Sequence, residues 1–171
     1  MTFRDQTKPN MLVQIRRAQL SDIPEIVQLN GDVQNLHAQM SPDIFRADWE
    51  VSAFEEFWRK RLNEQADTVV LAMLDGAPVG YIWFQVQDRP QDAFRLSQRR
   101  VYIHHIAVKD KVRRSGVGTQ LLEYAEAEAQ RLGISDIVLD VWASNSSSRA
   151  FFNSRGYCLS NLILKKMVDL R

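Results

Sequence analysis

The strongest constraint on the fold of this chain lies in residues 101–132, where an apolar strand runs into a glycine turn and then a helix. The strand, Val-Tyr-Ile-His-His-Ile-Ala-Val at 101–108, is rich in β-branched and aromatic residues. Arg113-Arg114-Ser115-Gly116-Val117-Gly118 follows, then an amphipathic stretch to Leu132 with Gly133 as its C′ residue. A strand delivered into a helix in this way packs the helix back onto a sheet, so the chain reads as α/β or α+β.

The flanking segments extend the pattern. Residues 11–15 alternate as a first strand. Ser21 caps a helix in which Pro24 is tolerable only in the first turn, and Ile26, Leu29, Val33, Leu36 and Met40 continue one apolar stripe. A second helix is expected from Ser52, with Ser52 and Glu55 as a capping box and Phe54, Phe57, Trp58 and Leu62 as the buried face. Strands at 69–74 and 79–86 join through Asp75-Gly76, a hairpin signal, and a polar loop at 87–98 precedes the strand at 101–108. Residues 136–142 read as a buried strand, 145–155 as a short helix stopped by Gly156, and 157–170 as one or two strands. The expected sheet is therefore mixed and six- to seven-stranded.

With 171 residues and no linker or internal repeat, the chain is expected to form one domain over residues 11–171 behind a polar tail at 1–10. No apolar run approaches the roughly 18 residues of a membrane span, and residues 1–10 lack an apolar signal core. The single cysteine, Cys158, fits a reducing, cytoplasmic setting. Net charge is only +1, which gives no general pull toward nucleic acid or membrane. Locally the balance differs: between Arg89 and Arg114 there are eight cations and two acids. Such a segment before a helix start is either a solvated basic loop or a seat for a small polyanion.

Helix N-termini present unpaired N–H groups and partial positive charge, and glycines at 116 and 118 let an anion approach that backbone. Arg113 and Arg114 add cations, so the turn reads as a pyrophosphate cradle. A Walker loop would need Lys before Thr119, and a dinucleotide fingerprint would need Gly at 121, which is Leu. Taken alone, paired glycines fit an ordinary turn equally well. His104 and His105 are expected on opposite faces of their strand, a geometry that disfavours a shared metal, and no metal site is expected.

Taken together, Val108, Arg113-x-x-Gly116-x-Gly118, the helix after it, the strand at 137–142, Asn145, and Ala150-Phe151-Phe152 followed by Gly156-Tyr157 resemble the GNAT N-acetyltransferases over nearly the whole chain. The resemblance implies a mostly antiparallel sheet with helices on both faces and splayed central strands. It implies acetyl-CoA as co-substrate, its pantetheine arm bonded near Ile106, Ala107 and Val108. Its diphosphate would lie on Arg113, Arg114, Ser115, Gly116, Val117, Gly118 and Thr119, and Asn145 and Phe152 would belong to the same site. Phe152 occupies the position where the family often places a tyrosine that protonates the leaving thiolate, so no general acid is assigned.

An amine must be neutral to attack a thioester, and a lysine-like amine is mostly protonated at pH 7. His104, on the cofactor strand, is the leading candidate base, with His105, a carboxylate or an ordered water as the alternatives. His37 and the acids Asp43, Asp48, Glu50, Glu55 and Glu56 border the expected acceptor cleft. The expected activity is transfer of acetyl to a primary amine of a small molecule or peptide by direct attack. A CoA-binding sensor or structural domain without turnover is the alternative. A homodimer is expected by analogy with the family, and nucleic acid is not expected as a partner.

Overall fold

The computed structural model describes residues 13–169. The expected polar tail and the first two residues of the strand expected at 11–15 lie outside the described residues. The chain divides into two compact units, one ending at Asp140 and the other beginning at Val141.

The first unit is built on a five-stranded sheet: β1 (Gln14–Arg17), β2 (Asp67–Leu74), β3 (Ala77–Arg89), β4 (Gln98–Val108) and β5 (Asp136–Leu139), in that spatial order. The first three pairings are antiparallel and β4–β5 is parallel. The β2–β3 turn is the expected hairpin, with Asp75 (φ 50°) and Gly76 (φ 77°) both left-handed as a two-residue turn of matching twist requires. Strands β3 and β4 reach farther than sequence alternation indicates, taking residues 87–89 and Gln98 out of the expected loop.

Helices cover both faces of the sheet. Helix α1 (Ile23–Met40) follows a short 3₁₀ turn, Leu20–Asp22, and Asp22 holds Arg16 through two bonds of 2.7 and 2.8 Å. With α2 (Val51–Asn63) it packs Ile23, Ile26, Val27, Leu29 and Trp58 on Val69, Leu71, Tyr81, Trp83 and Ala107. Helix α3 (Val117–Arg131) lies on the sheet with Val117, Leu121, Leu122 and Ala125 buried. Gly80 on β3 permits a close approach there: a Cβ at that position would sit 2.7 Å from the Ala107 carbonyl oxygen.

Two local expectations are corrected. Helix α2 starts at Val51 with Glu50 as N-cap, and neither the cap nor a Ser52–Glu55 box forms. Ser52 falls inside the first turn, where its hydroxyl no longer stands at the capping position. Phe57, expected in the buried face, is 40% exposed, while Trp58 is fully buried.

The second unit contains α4 (Ser146–Ser154), whose first turn is capped by Asn145 Oδ1 accepting from the Ser148 N–H at 3.0 Å. Gly156 ends it in the left-handed region, φ 86°. The Phe152 ring packs against Phe151 and Tyr157. Residues 157–169 carry no regular secondary structure, so among the described residues the sheet has five strands rather than six or seven. Alternation makes a strand only where the backbone joins a ladder, and residues 157–169 join none among the described residues.

Candidate active site

The site begins with an irregularity in β4. Trp83 pairs with His105 and Phe84 with Ile103, so His104 is the extra residue of a β-bulge. The bulge resets the alternation. Both imidazoles now stand on the α1–α2 face: His104 stacks on Trp83 at 4.2 Å and lies 4.7 Å from Tyr102, while His105 sits 5.8 Å from Trp83 and 6.5 Å from Trp58, ring centroid to centroid. The expectation that His105 faces the opposite side is therefore corrected; a period of two fails across an inserted residue.

Each imidazole is oriented by a different partner. Tyr81, fully buried, has its hydroxyl 3.0 Å from His105 Nδ1. Burial holds the Tyr81 phenol above its ordinary range, so it stays protonated and donates to Nδ1, leaving the His105 proton on Nε2. His105 is pushed down to about 4, first by burial and then by the neighbouring His37 and His104. It is neutral at pH 7 and a weak base. His104 Nε2 donates to Gln85 Oε1 at 2.8 Å, which leaves the Nδ1 lone pair to accept a proton. Half-buried, His104 is lowered by burial, with Asp67 and Asp140 opposing that shift and Arg61 adding to it.

Beneath His104 lies an ionic support. Trp83 Nε1 donates to Asp67 Oδ1 at 2.7 Å, and Asp67 Oδ2 lies 3.3 Å from Arg61 Nη1. The Asp67 side chain is completely buried and that of Arg61 is 21% exposed. The indole that carries His104 is thus fixed by a carboxylate whose own charge is balanced by α2. Tyr102, two residues before His104, donates to Asp140 at the end of β5, and its phenol is pushed up to about 12 by burial and that bond.

The other half of the site is backbone. The β4–β5 ladder runs only from Arg100↔Asp136 to Ile103↔Leu139, and residues 104–108 continue with no ladder partner on that side among the described residues. After a 3₁₀ turn at Asp110–Val112 the chain enters α3 through two left-handed residues, Arg114 (φ 63°) and Gly116 (φ 91°). Gly116 is the N-cap and makes no side-chain capping bond. Arg113 bonds back to the Val108 carbonyl at 3.2 Å and pairs with Asp110 at 2.8 Å, and Ser115 Oγ donates to the Val112 carbonyl at 2.5 Å. Arg114 and Lys111 have no ion-pair partner among the described residues. A 15-residue helix entered this way, beside an unpaired strand edge, fits a linear amide-bearing ligand with an anionic end.

The first unit thus holds His104, Ile106, Ala107, Val108 and the turn 113–119 on consecutive segments. Asn145 and Phe152 belong to the second unit, where Asn145 caps α4 and Phe152 packs on its neighbours. The basic run 89–114 divides between the β3–β4 hairpin, where Arg99 pairs with Asp88, and the turn before α3. Of the acceptor-side residues, Asp48 pairs with Arg46, and His37 packs on Phe45 with its pKa lowered by burial. Sequence reading missed Arg61, Asp67, Gln85, Tyr102 and Asp140. One signal was present: Gln85, a lone amide in the apolar run 79–86, shares a face with Trp83 and Tyr81 at spacing two.

A sequence profile of the acetyltransferase (GNAT) family matches residues 33–157. The chain belongs to that family. A curated relative from Lactobacillus delbrueckii subsp. lactis, named as an uncharacterised N-acetyltransferase in the pepI 3′ region, is 24% identical over 153 residues, spanning 84% of this chain and 83% of its own. Among solved structures, a tetramutant of the BH1408 protein from Bacillus halodurans superposes with a TM-score of 0.83 at 21% identity, covering 91% of this chain and 99% of that one. The aminoglycoside N-acetyltransferase AAC(6′)-Iy in complex with CoA gives 0.72 at 16% identity, covering 95% and 99%. These likenesses establish the fold. Among the described residues, no helix is long and apolar enough to cross a membrane.

Proposed function

We propose that this protein is an acetyl-CoA-dependent N-acetyltransferase that acylates a primary amine of a small molecule or peptide by direct attack in a ternary complex. The observation that carries the reading is the junction of an unpaired β4 edge at 104–108, the left-handed turn into α3, and a half-buried imidazole on that same edge. Acetyl-CoA supplies the activated acyl group as its thioester. Backbone groups of Ile106, Ala107 and Val108 bond the pantetheine arm, and the turn from Arg113 to Thr119 holds the diphosphate. His104 Nδ1 takes one proton of the arriving ammonium, the freed nitrogen attacks the acetyl carbon, the C–S bond breaks to release the thiolate, and the acylated nitrogen sheds its surplus proton to solvent to leave the neutral amide. An ordinary thiol has a pKa near 8.5, so solvent suffices to protonate it, and Phe152 needs no substitute.

The CoA held by the AAC(6′)-Iy structure supports the co-substrate, and the aminoglycoside N-acetyltransferases among the structural neighbours support a small-molecule amine. Exposed Leu159, Leu162, Ile163, Leu164 and Met167 support a homodimer, which sedimentation would test. The exposed, unpaired Cys158 thiol supports a cytoplasmic setting. Incubating the protein with acetyl-CoA and an amine panel while following free thiol tests the enzyme, and calorimetry tests the co-substrate. Absence of acetyl-CoA binding would refute the proposal. Binding without transfer to any amine would instead favour a CoA sensor, the reading that Phe152 in the tyrosine position supports.

A further inference from the structure

We infer that Asp140, tethered by Tyr102, is the seat of the acceptor's ammonium group and delivers it to His104. The inference rests on the N-acetyltransferase reading and deepens it by naming the group that holds the amine while it is still charged.

Three observations converge on Asp140. It stands one residue beyond the last ladder pair, Ile103↔Leu139, where β4 is left without its neighbour and His104 bulges. Its Oδ2 accepts the Tyr102 hydroxyl, and the Tyr102 ring lies 4.7 Å from that of His104, so one aromatic ring joins carboxylate and base. It is exposed, and among the described residues no cation lies within ion-pairing distance of it. Arg100, two residues before Tyr102 on β4, has its guanidinium 5.1 Å above the Tyr102 ring and gives both Nε and Nη2 to Gln87 Oε1 instead. Asp67, the other carboxylate near His104, is buried and engaged by Arg61 and Trp83.

The chemistry requires such a group. An amine arrives as a cation, and an imidazole alone gives that cation no countercharge. A carboxylate pinned by a phenol keeps one oxygen for the ammonium. Charge-assisted bonding then holds the nitrogen while its proton passes to His104.

The test is binding as well as turnover. Phenethylamine and its uncharged isostere 2-phenylethanol are titrated against the full chain in the presence of CoA, reading the His104 ring signals by NMR. The amine is expected to shift those signals and the alcohol to leave them unchanged. Asp140→Asn, which still accepts the Tyr102 hydroxyl, is expected to weaken the amine about tenfold, and Tyr102→Phe about threefold, with CoA affinity unchanged in both. In turnover, Asp140→Asn raises KM for the amine more than it lowers kcat. Equal affinity of wild type and Asp140→Asn for phenethylamine, or equal response to amine and alcohol, overturns the inference. Absence of thiol release by wild type with every amine overturns the enzymatic reading instead, and is read separately from the binding titration.

Discussion

Acidification should destabilise this protein through His105. The imidazole moves from its ordinary value of 6.5 to about 4 in the folded chain, chiefly through burial beside Trp58, Tyr81 and Trp83. A lowered folded value means that the unfolded chain binds the proton first. The stability is fully present above pH 6.5 and is lost as pH falls toward 4. At pH 5 the unfolded imidazole is about 1.5 pH units below its pKa and the folded one is still neutral, so the loss relative to pH 7 is about 2 kcal/mol. His104 and His37, both lowered by burial, add in the same direction. Urea unfolding at pH 7, 6 and 5 measures this. The matched variant is His105→Gln, which does not titrate and keeps an acceptor for the Tyr81 hydroxyl. It should be less stable at pH 7 but show a flatter decline. Parallel slopes for wild type and variant would refute the assignment of the acid sensitivity to this residue.

Four further outcomes are expected. Arg61→Leu and Asp67→Asn should each lower stability by about 3 kcal/mol, since each strands the other partner, while the double variant loses far less than the sum; denaturant midpoints supply the cycle. His104→Gln should lower kcat by roughly 10²–10⁴ with KM for acetyl-CoA unchanged, and the acidic limb of the pH–rate profile, which lies below 6.5 in wild type, should vanish. Gly80→Ala places a methyl 2.7 Å from the Ala107 carbonyl oxygen and should lower stability by about 1–3 kcal/mol, seen as a drop in Tm. Arg114→Gly relieves a left-handed φ of 63° and should raise stability by about 1 kcal/mol in urea unfolding, yet raise KM for acetyl-CoA.

Much of the turn into α3 was legible because its geometry is local. Glycines at 116 and 118, arginines before them and a helix after them are contiguous, and the positive φ of Gly116 follows from residue type, whereas that of Arg114 does not. The same holds for the Asp75-Gly76 hairpin and for Gly133 and Gly156 beyond their helices, all at positive φ. Strand ends were less legible, because β3 and β4 extend each other past the apolar run by pairing polar residues such as Gln87 with Arg100. The capping box at Ser52 failed for a related reason. The start of α2 is set by where Trp58 must reach the sheet, not by the first capping residue available.

By itself the amino-acid order determined the alternation of strands and helices, the glycine turn into α3 and the identity of an imidazole on the strand before it, because hydrophobic period and backbone freedom are properties of neighbours in the chain. Only the tertiary structure decided that His104 and His105 share a face, that Asp67 and Gln85 orient the groups around them, and that Asp140 meets Tyr102. A bulge arises from the register of two strands, and a side chain's partner comes from whichever distant residue the sheet brings opposite it; neither is written in local spacing.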